Sequence, residues 1–535
     1  MLSQHENLGL FYRELYRSKF KAAIAAGTAR PLVLPFDLVG SFILPALYLC
    51  IPHTRRPWLY RMRFAVMALV IYLNLAMIGC TSSANVAVAY GAGLLGGWGI
   101  IWTMMLLIWT RPQFEAARVE RRPRRPKTVA NGNGAVSGAG VETQGKATAP
   151  DERVSKVLDE YEYYWQSYPA DGSFLTRLDW VTDLLTAFRG SGWNWAISSI
   201  PHFQRPVNPH SGELVKLDTI PLVTRSGYTR FRTYSSFLRD RLWRIALSYL
   251  ALDFCSVSMM KDPYFILGPD GPHRHPLPPH LAALSDPLLQ AWRSALSLLG
   301  IICAIHLVFS LDQLCRTIPI PVTLGPRADL WHYPSTFGSF ANVPRRGLAG
   351  FWGAWWHQTF RAAFTAPAAW LARRGLLPRS PANSAAAGLV AFLLSGALHA
   401  AGAATAGIVA TTTSPSPSSS SLAFFLLSWV GVVAQAAWGA GPAPALLLLL
   451  PRGRWRRWVS GAANVAFVGL WLHFTRWALV DDLSRSAIWL FEPVPASPLR
   501  ALGLGRPGDS WWRWDRDLSP RWYVGRRWWE TGITL

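Results

Sequence analysis

From residue 380 to residue 451 the chain carries no Asp, Glu, Lys, Arg, Cys or Tyr, and the only side chain there that titrates near neutral pH is His399. A stretch of that length without charge reads as membrane-embedded, because a bilayer core asks for about 20 consecutive apolar residues per crossing. The remaining composition agrees. Charged residues make up 16% of the 535 positions, against about 25% in ordinary soluble chains. The 28 Trp residues are the amphipathic kind that gathers at membrane–water interfaces. A purely soluble enzyme is therefore excluded. Lys and Arg outnumber Asp and Glu by 53 to 30, a net charge of +23. Such a balance suits either nucleic acid or an anionic bilayer. The arginines flank apolar segments, so the bilayer is the expected partner and nucleic acid is not.

Eight apolar stretches are candidate spans: 31–52, 64–80, 86–109, 242–258, 288–311, 385–411, 421–450 and 458–480. The fourth is crowded by Arg241, Arg244 and Asp253, and the seventh is broken at Gly439-Ala-Gly-Pro442. The expected fold class is thus all-α, a polytopic membrane protein of about eight transmembrane helices with interfacial helices. Short loops rich in Arg alternate with uncharged ones, which puts the basic loops in the cytosol. Residues 1–30 and the Arg/Trp-rich tail 481–535 break that alternation. The expected organisation is N-terminal membrane helices over 1–110, a cytosolic basic loop over 111–240, a membrane core over 241–480 and the tail. Inside the basic loop, the Gly-rich 128–150 reads as a flexible linker, and 411–420 as a short disordered connector. No removable signal peptide is recognisable.

Two histidines carry the chemistry. His399 sits mid-span, and an ionisable group at that depth marks a functional site by default. Its helical neighbours Ser395, Gly396, Gly402 and Ala403 are all small, so another backbone or a substrate chain can come close. The alternative is a histidine hydrogen-bonded between helices for packing. The second lies in Phe351-Trp-Gly-Ala-Trp-Trp-His357-Gln-Thr-Phe-Arg361. Read as one helix, Trp352, Trp355, Trp356 and Phe360 form an apolar interfacial stripe, with Gly353, His357 and Arg361 along an adjacent one. That pattern fits an interfacial anchor or the wall of an active site with Arg361 near an anionic cofactor. His306 and His473 read as packing groups. Gly91-Ala-Gly93-Leu-Leu-Gly96 fits a dinucleotide-binding glycine pattern but lies inside an apolar span, where it reads as helix packing. His273-Arg-His275 with His280 lacks acidic or Cys partners, so no metal is expected.

The FWxxxWHQxxR segment, followed some 40 residues on by SGxLH, resembles the membrane-bound O-acyltransferase superfamily, and within it the wax synthase-domain branch found in fungi. Trp331-His-Tyr-Pro334, Phe337-Gly338 and Arg189-Gly-Ser-Gly-Trp-Asn-Trp195 look like that branch too. The resemblance implies a multi-spanning enzyme of the endoplasmic reticulum that moves an acyl group from acyl-CoA to a hydroxyl. It implies that His399 is the intramembrane catalytic histidine and that His357 occupies the second, more variable position. Fungal members imply acetyl-CoA as donor and a terpenoid or meroterpenoid alcohol as acceptor.

On that reading His399 takes the proton of the acceptor hydroxyl, and His357 or Gln358 orients the thioester or stabilises the oxyanion. Arg361, Arg345 and Arg346 pair with the CoA phosphates, while Trp356 and Ser395 line the substrate. The first alternative keeps the fold but uses long-chain acyl-CoA with a fatty alcohol or sterol. A transporter or a non-catalytic scaffold are lower alternatives.

Overall fold

A computed structural model describes residues 7–124, 161–203, 209–271, 275–317, 325–378, 380–409, 419–441, 453–514 and 519–534. The expected linker 128–150, most of the connector 411–420, the stretch from Pro442 to Leu450 and His273 lie outside the described residues.

The molecule is mostly helical. Among the described residues, six helices are long and apolar enough to cross a membrane: Pro57–Cys80, Val86–Trp109, Tyr234–Met259, Asp286–Thr317, Pro381–Gly407 and Ser420–Ala440. Two of the eight expected spans are corrected. In 31–52 the chain forms a strand at Val33–Leu34, paired with the C-terminal Gly532–Thr534, and only Val39–Cys50 is a short apolar helix. Asp37 breaks the span by turning inward, where its carboxylate accepts from Arg30 and from the Val33 amide. In 458–480 the helix Arg454–Thr475 stops and a short helix Val480–Arg485 follows. The crowded fourth span survives because its charges face protein. Arg241 is fully buried against Asp240 and the Tyr333 carbonyl, and Asp253 accepts from the Leu499 amide.

The basic loop contains a fold of its own. Ala117–Pro123 pairs antiparallel with Tyr161–Ser167, and Leu214–Val215 adds a third strand. Arg118 and Arg121 are paired with acids: buried Arg118 meets Asp179 at 2.5 Å and Asp183 at 3.2 Å, and Arg121 meets Asp329 at 2.9 Å. Asp179 and Asp183 belong to the helix Phe174–Thr186, whose fully buried Trp180 and Leu185 join a separate core with Tyr48, Leu49 and Trp102.

The helices Val86–Met104 and Pro381–Gly407 press together at backbone distance. A Cβ on Gly93 would stand 2.0 Å from the Ala401 carbonyl oxygen, so only glycine permits the approach. Thr405 then donates to the Ala89 carbonyl across the seam, 2.7 Å. The glycine pattern in this span is thus helix packing. Gly93→Val is expected to lower the melting temperature in detergent through overpacking, a cost of about 1–3 kcal/mol or more. Gly91→Ala, where a Cβ meets nothing, should melt like the parent.

The two segments that broke the charge alternation are joined. Glu492 receives Arg13 at 2.7 Å from the first helix, Leu8–Ala26, and Arg500 and Arg513 from the tail at 3.1 and 2.7 Å. Burial pushes the Glu492 pKa up, but the three guanidinium groups outweigh it and hold it down at about 2. A depressed carboxylate stabilises above its ordinary value, about 4.5, and loses that contribution as pH falls toward 2. Thermal stability should therefore decline between these values, and Glu492→Gln, less stable at pH 7, should show a flatter acid profile.

Candidate active site

His399 sits on the helix Pro381–Gly407, which Ser380 caps by accepting from the Asn383 amide at 3.1 Å. Its imidazole is half-buried. Nδ1 lies 3.1 Å from the Tyr90 hydroxyl, and the ring stacks on Phe425 with centroids 5.0 Å apart and planes at 16°. Gly396 lets the Leu422 backbone approach, since a Cβ there would stand 2.9 Å from Leu422 Cα. The small residues around His399 are therefore filled in part by a neighbouring helix.

From Phe425 a chain of aromatic contacts leads to the second histidine. Phe425 and Trp352 are 6.0 Å apart, Trp352 and Trp356 5.6 Å, and Trp356 and His357 5.5 Å. His357 Nδ1 lies 3.1 Å from the Thr359 hydroxyl. Burial pushes the His357 pKa down to about 3, and His399 and Arg189 stand close enough to add to the shift. The imidazole is therefore neutral at physiological pH. Neither histidine has a partner on Nε2 among the described residues.

The single interfacial helix expected over 351–361 is corrected. Residues Asn342–Gly350 are helical, Phe351–Trp355 form one π-helical turn, Trp356 is extended, and the helix resumes at Arg361–Arg373. His357 stands in the break, so the two expected stripes do not form. The break is held by side chains that satisfy its loose carbonyls. Gln358 donates to the carbonyls of Trp352 and Trp356 at 2.9 and 2.7 Å. Arg361 donates to the Gly353 carbonyl and to the Gln358 side-chain oxygen at 2.7 and 2.8 Å. Fully buried Tyr228 donates to the Trp356 carbonyl at 2.8 Å. Both amide hydrogens of Gln358 are thus used by the backbone, and its expected part as a donor to the oxyanion is taken up by holding the turn. Arg361 likewise braces the turn.

Arg345 and Arg346 are exposed on the preceding helix and have no ion-pair partner among the described residues. Ser395 stands one turn before His399 and is half-buried. Four groups escaped the sequence reading. Tyr90 and Tyr228 come from segments whose proximity only the fold creates, while Thr359 lies two residues from His357. His306 read as a packing group, yet its ring lies 4.5 Å from Phe337, which in turn contacts His357 at 6.2 Å. The pieces 189–195 and 331–338 do meet: Arg189 donates to the carbonyls of Ser335 and Pro334 at 2.8 and 3.2 Å. Among the described residues, no group of three or more His, Cys, Asp or Glu side chains could hold a metal ion.

Residues 333–427, which contain both histidines, match the membrane bound O-acyl transferase family. The match is confined to that segment, under half of the chain. Among named relatives, O-Mevalon transferase macI of Penicillium terrestre is 24% identical over 54% of this chain and 58% of its own. O-Mevalon transferase yanI of Aspergillus niger is 26% identical over 42% of this chain and 45% of its own. Acetyltransferase ple2 of Rhodocybe pseudopiperita is 27% identical over 46% and 55%. The matched part thus spans about half the length of these relatives. No solved structure matches the chain.

Gln358→Leu leaves the Trp352 carbonyl without its donor. It should cost about 1–3 kcal/mol of stability, read by thermal melting.

Proposed function

We propose that the chain transfers an acyl group from acyl-CoA, acetyl from acetyl-CoA in the first instance, to a hydroxyl of a lipophilic secondary metabolite such as a terpenoid or meroterpenoid. The observation that carries the reading is the pair of imidazoles on one aromatic chain, each with Nδ1 beside a hydroxyl and Nε2 unoccupied, inside the segment that matches the family. The relatives' printed names, an acetyltransferase and two O-Mevalon transferases, support O-acyl transfer and leave the size of the acyl group to the assay.

His399 Nε2 takes the proton of the acceptor hydroxyl as its oxygen attacks the thioester carbonyl. His357, neutral and carrying its hydrogen on Nε2, donates to the developing oxyanion. Collapse of the tetrahedral intermediate forms the ester C–O bond and breaks the C–S bond. The proton on His399 passes to the departing CoA sulfur, so the enzyme returns to its starting state. No covalent acyl-enzyme is needed. Arg345 and Arg346, exposed and unpaired among the described residues, hold the CoA phosphates. Trp356 and Ser395 line the acyl and acceptor paths, and the apolar helices admit the alcohol from the bilayer of the endoplasmic reticulum.

The test is acyl transfer in microsomes, with labelled acetyl-CoA and palmitoyl-CoA offered separately alongside mixed terpenoid and fatty alcohols. Acetyl ester should form, and His399→Ala should lower it by about 100-fold or more. Ester from palmitoyl-CoA alone would favour a wax or steryl ester synthase. Equal activity in the parent and in His399→Ala would overturn His399 as the base, as a transporter or scaffold reading requires.

A further inference from the structure

We infer that Tyr90 is a positioning residue for His399: its hydroxyl oxygen accepts the Nδ1 hydrogen of the imidazole and so leaves the Nε2 lone pair as the face presented to the acceptor. The inference rests on the acyl-transfer reading above.

Tyr90 comes from the helix Val86–Met104, far outside the matched residues 333–427. Which nitrogen of a neutral imidazole carries the hydrogen is set by the bond the other nitrogen makes. Here one nitrogen is fixed by the 3.1 Å contact and the plane of the ring by the stack on Phe425. The Tyr90 ring itself is buried, and it lies over Gly402, where a Cβ would stand 2.8 Å from its Cζ. The glycine one turn beyond His399 thus makes room for the group that orients it.

The direction of the bond follows from the acyl-transfer reading, which needs the Nε2 lone pair free for the acceptor proton, so that Nδ1 carries the hydrogen and the Tyr90 oxygen accepts it. With the opposite tautomer, Nε2 would carry a hydrogen toward the acceptor hydroxyl and could not take its proton.

The experiment uses the full chain in microsomes with labelled acetyl-CoA and the mixed alcohols. Tyr90→Phe keeps the ring over Gly402 and removes only the oxygen. Turnover should fall by about tenfold or more. The KM for acetyl-CoA should stay within about twofold, and the melting temperature should not move. Gly402→Ala, which displaces the ring, should lower turnover too, and the double variant should fall no further than the lower single one, because both act through one contact. Parent turnover in Tyr90→Phe beside an inactive His399→Ala overturns the role of Tyr90 and leaves acyl transfer standing. A loss that appears only in KM or in melting also overturns it. Parent activity in His399→Ala overturns both.

Discussion

A helix that ends inside a protein leaves carbonyl oxygens without partners, and each needs a donor where water is excluded. At Trp356 that requirement shapes the site. The helix entering from Asn342 loosens into a π turn and stops, and the carbonyls of Trp352, Gly353 and Trp356 are taken by Gln358, Arg361 and Tyr228. Because these donors come from beyond the break and from a distant segment, the backbone has one way to run. His357 is placed by that solution. An unbroken helix would have kept its own hydrogen bonds and carried His357 along an ordinary helical face.

The same segment is tied to the membrane helices by a second polar set. Gly347 adopts a φ of 55°, which opens space for Gln435 from the helix Ser419–Ala440. A Cβ there would lie 2.0 Å from its amide nitrogen. Gln435 accepts from the Leu348 amide and donates to Asn464, which donates to the Pro344 carbonyl. In a region so poor in charge, neutral amides do what ion pairs do in the basic loop, where Arg118 and Arg327 share Glu120, Asp179 and Asp183.

What could be read in advance follows from where each interaction is encoded. His399 stood out because 380–451 holds no other group that titrates near neutral pH, a property of one continuous segment. Six of the eight spans were legible for the same reason. The break at Trp356 was not, since a run such as FWGAWWHQTF keeps helical periodicity whether or not its carbonyls find donors elsewhere. Tyr90 and Tyr228 lie 309 and 128 residues from their partners His399 and Trp356, and no local pattern records such a pairing. The two ends of the chain disagreed with the charge alternation together because they are one unit, closed by Glu492 and by the pairing of Val33–Leu34 with Gly532–Thr534.

Charge is the thread that connects fold to chemistry on the acyl-transfer reading. A thioester donor brings phosphates that need cations and a reacting carbonyl that gains negative charge only in passing. An arginine beside the carbonyl would bind the oxyanion, but it would have to be desolvated at all other times, at a cost that membrane depth makes larger. Neutral imidazoles avoid that cost, because they donate or accept as the reaction requires and carry charge only while a proton is in transit. Arg345 and Arg346 remain exposed on the helix before the break, while Arg361 is drawn inward, its guanidinium hydrogens accepted by neutral oxygens rather than by acids. On that reading the exposed pair Arg345 and Arg346 is suited to phosphate, and the imidazoles to proton transfer. The broken helix between Gly350 and Arg361 is where the two part, with guanidinium groups before it and His357 inside it.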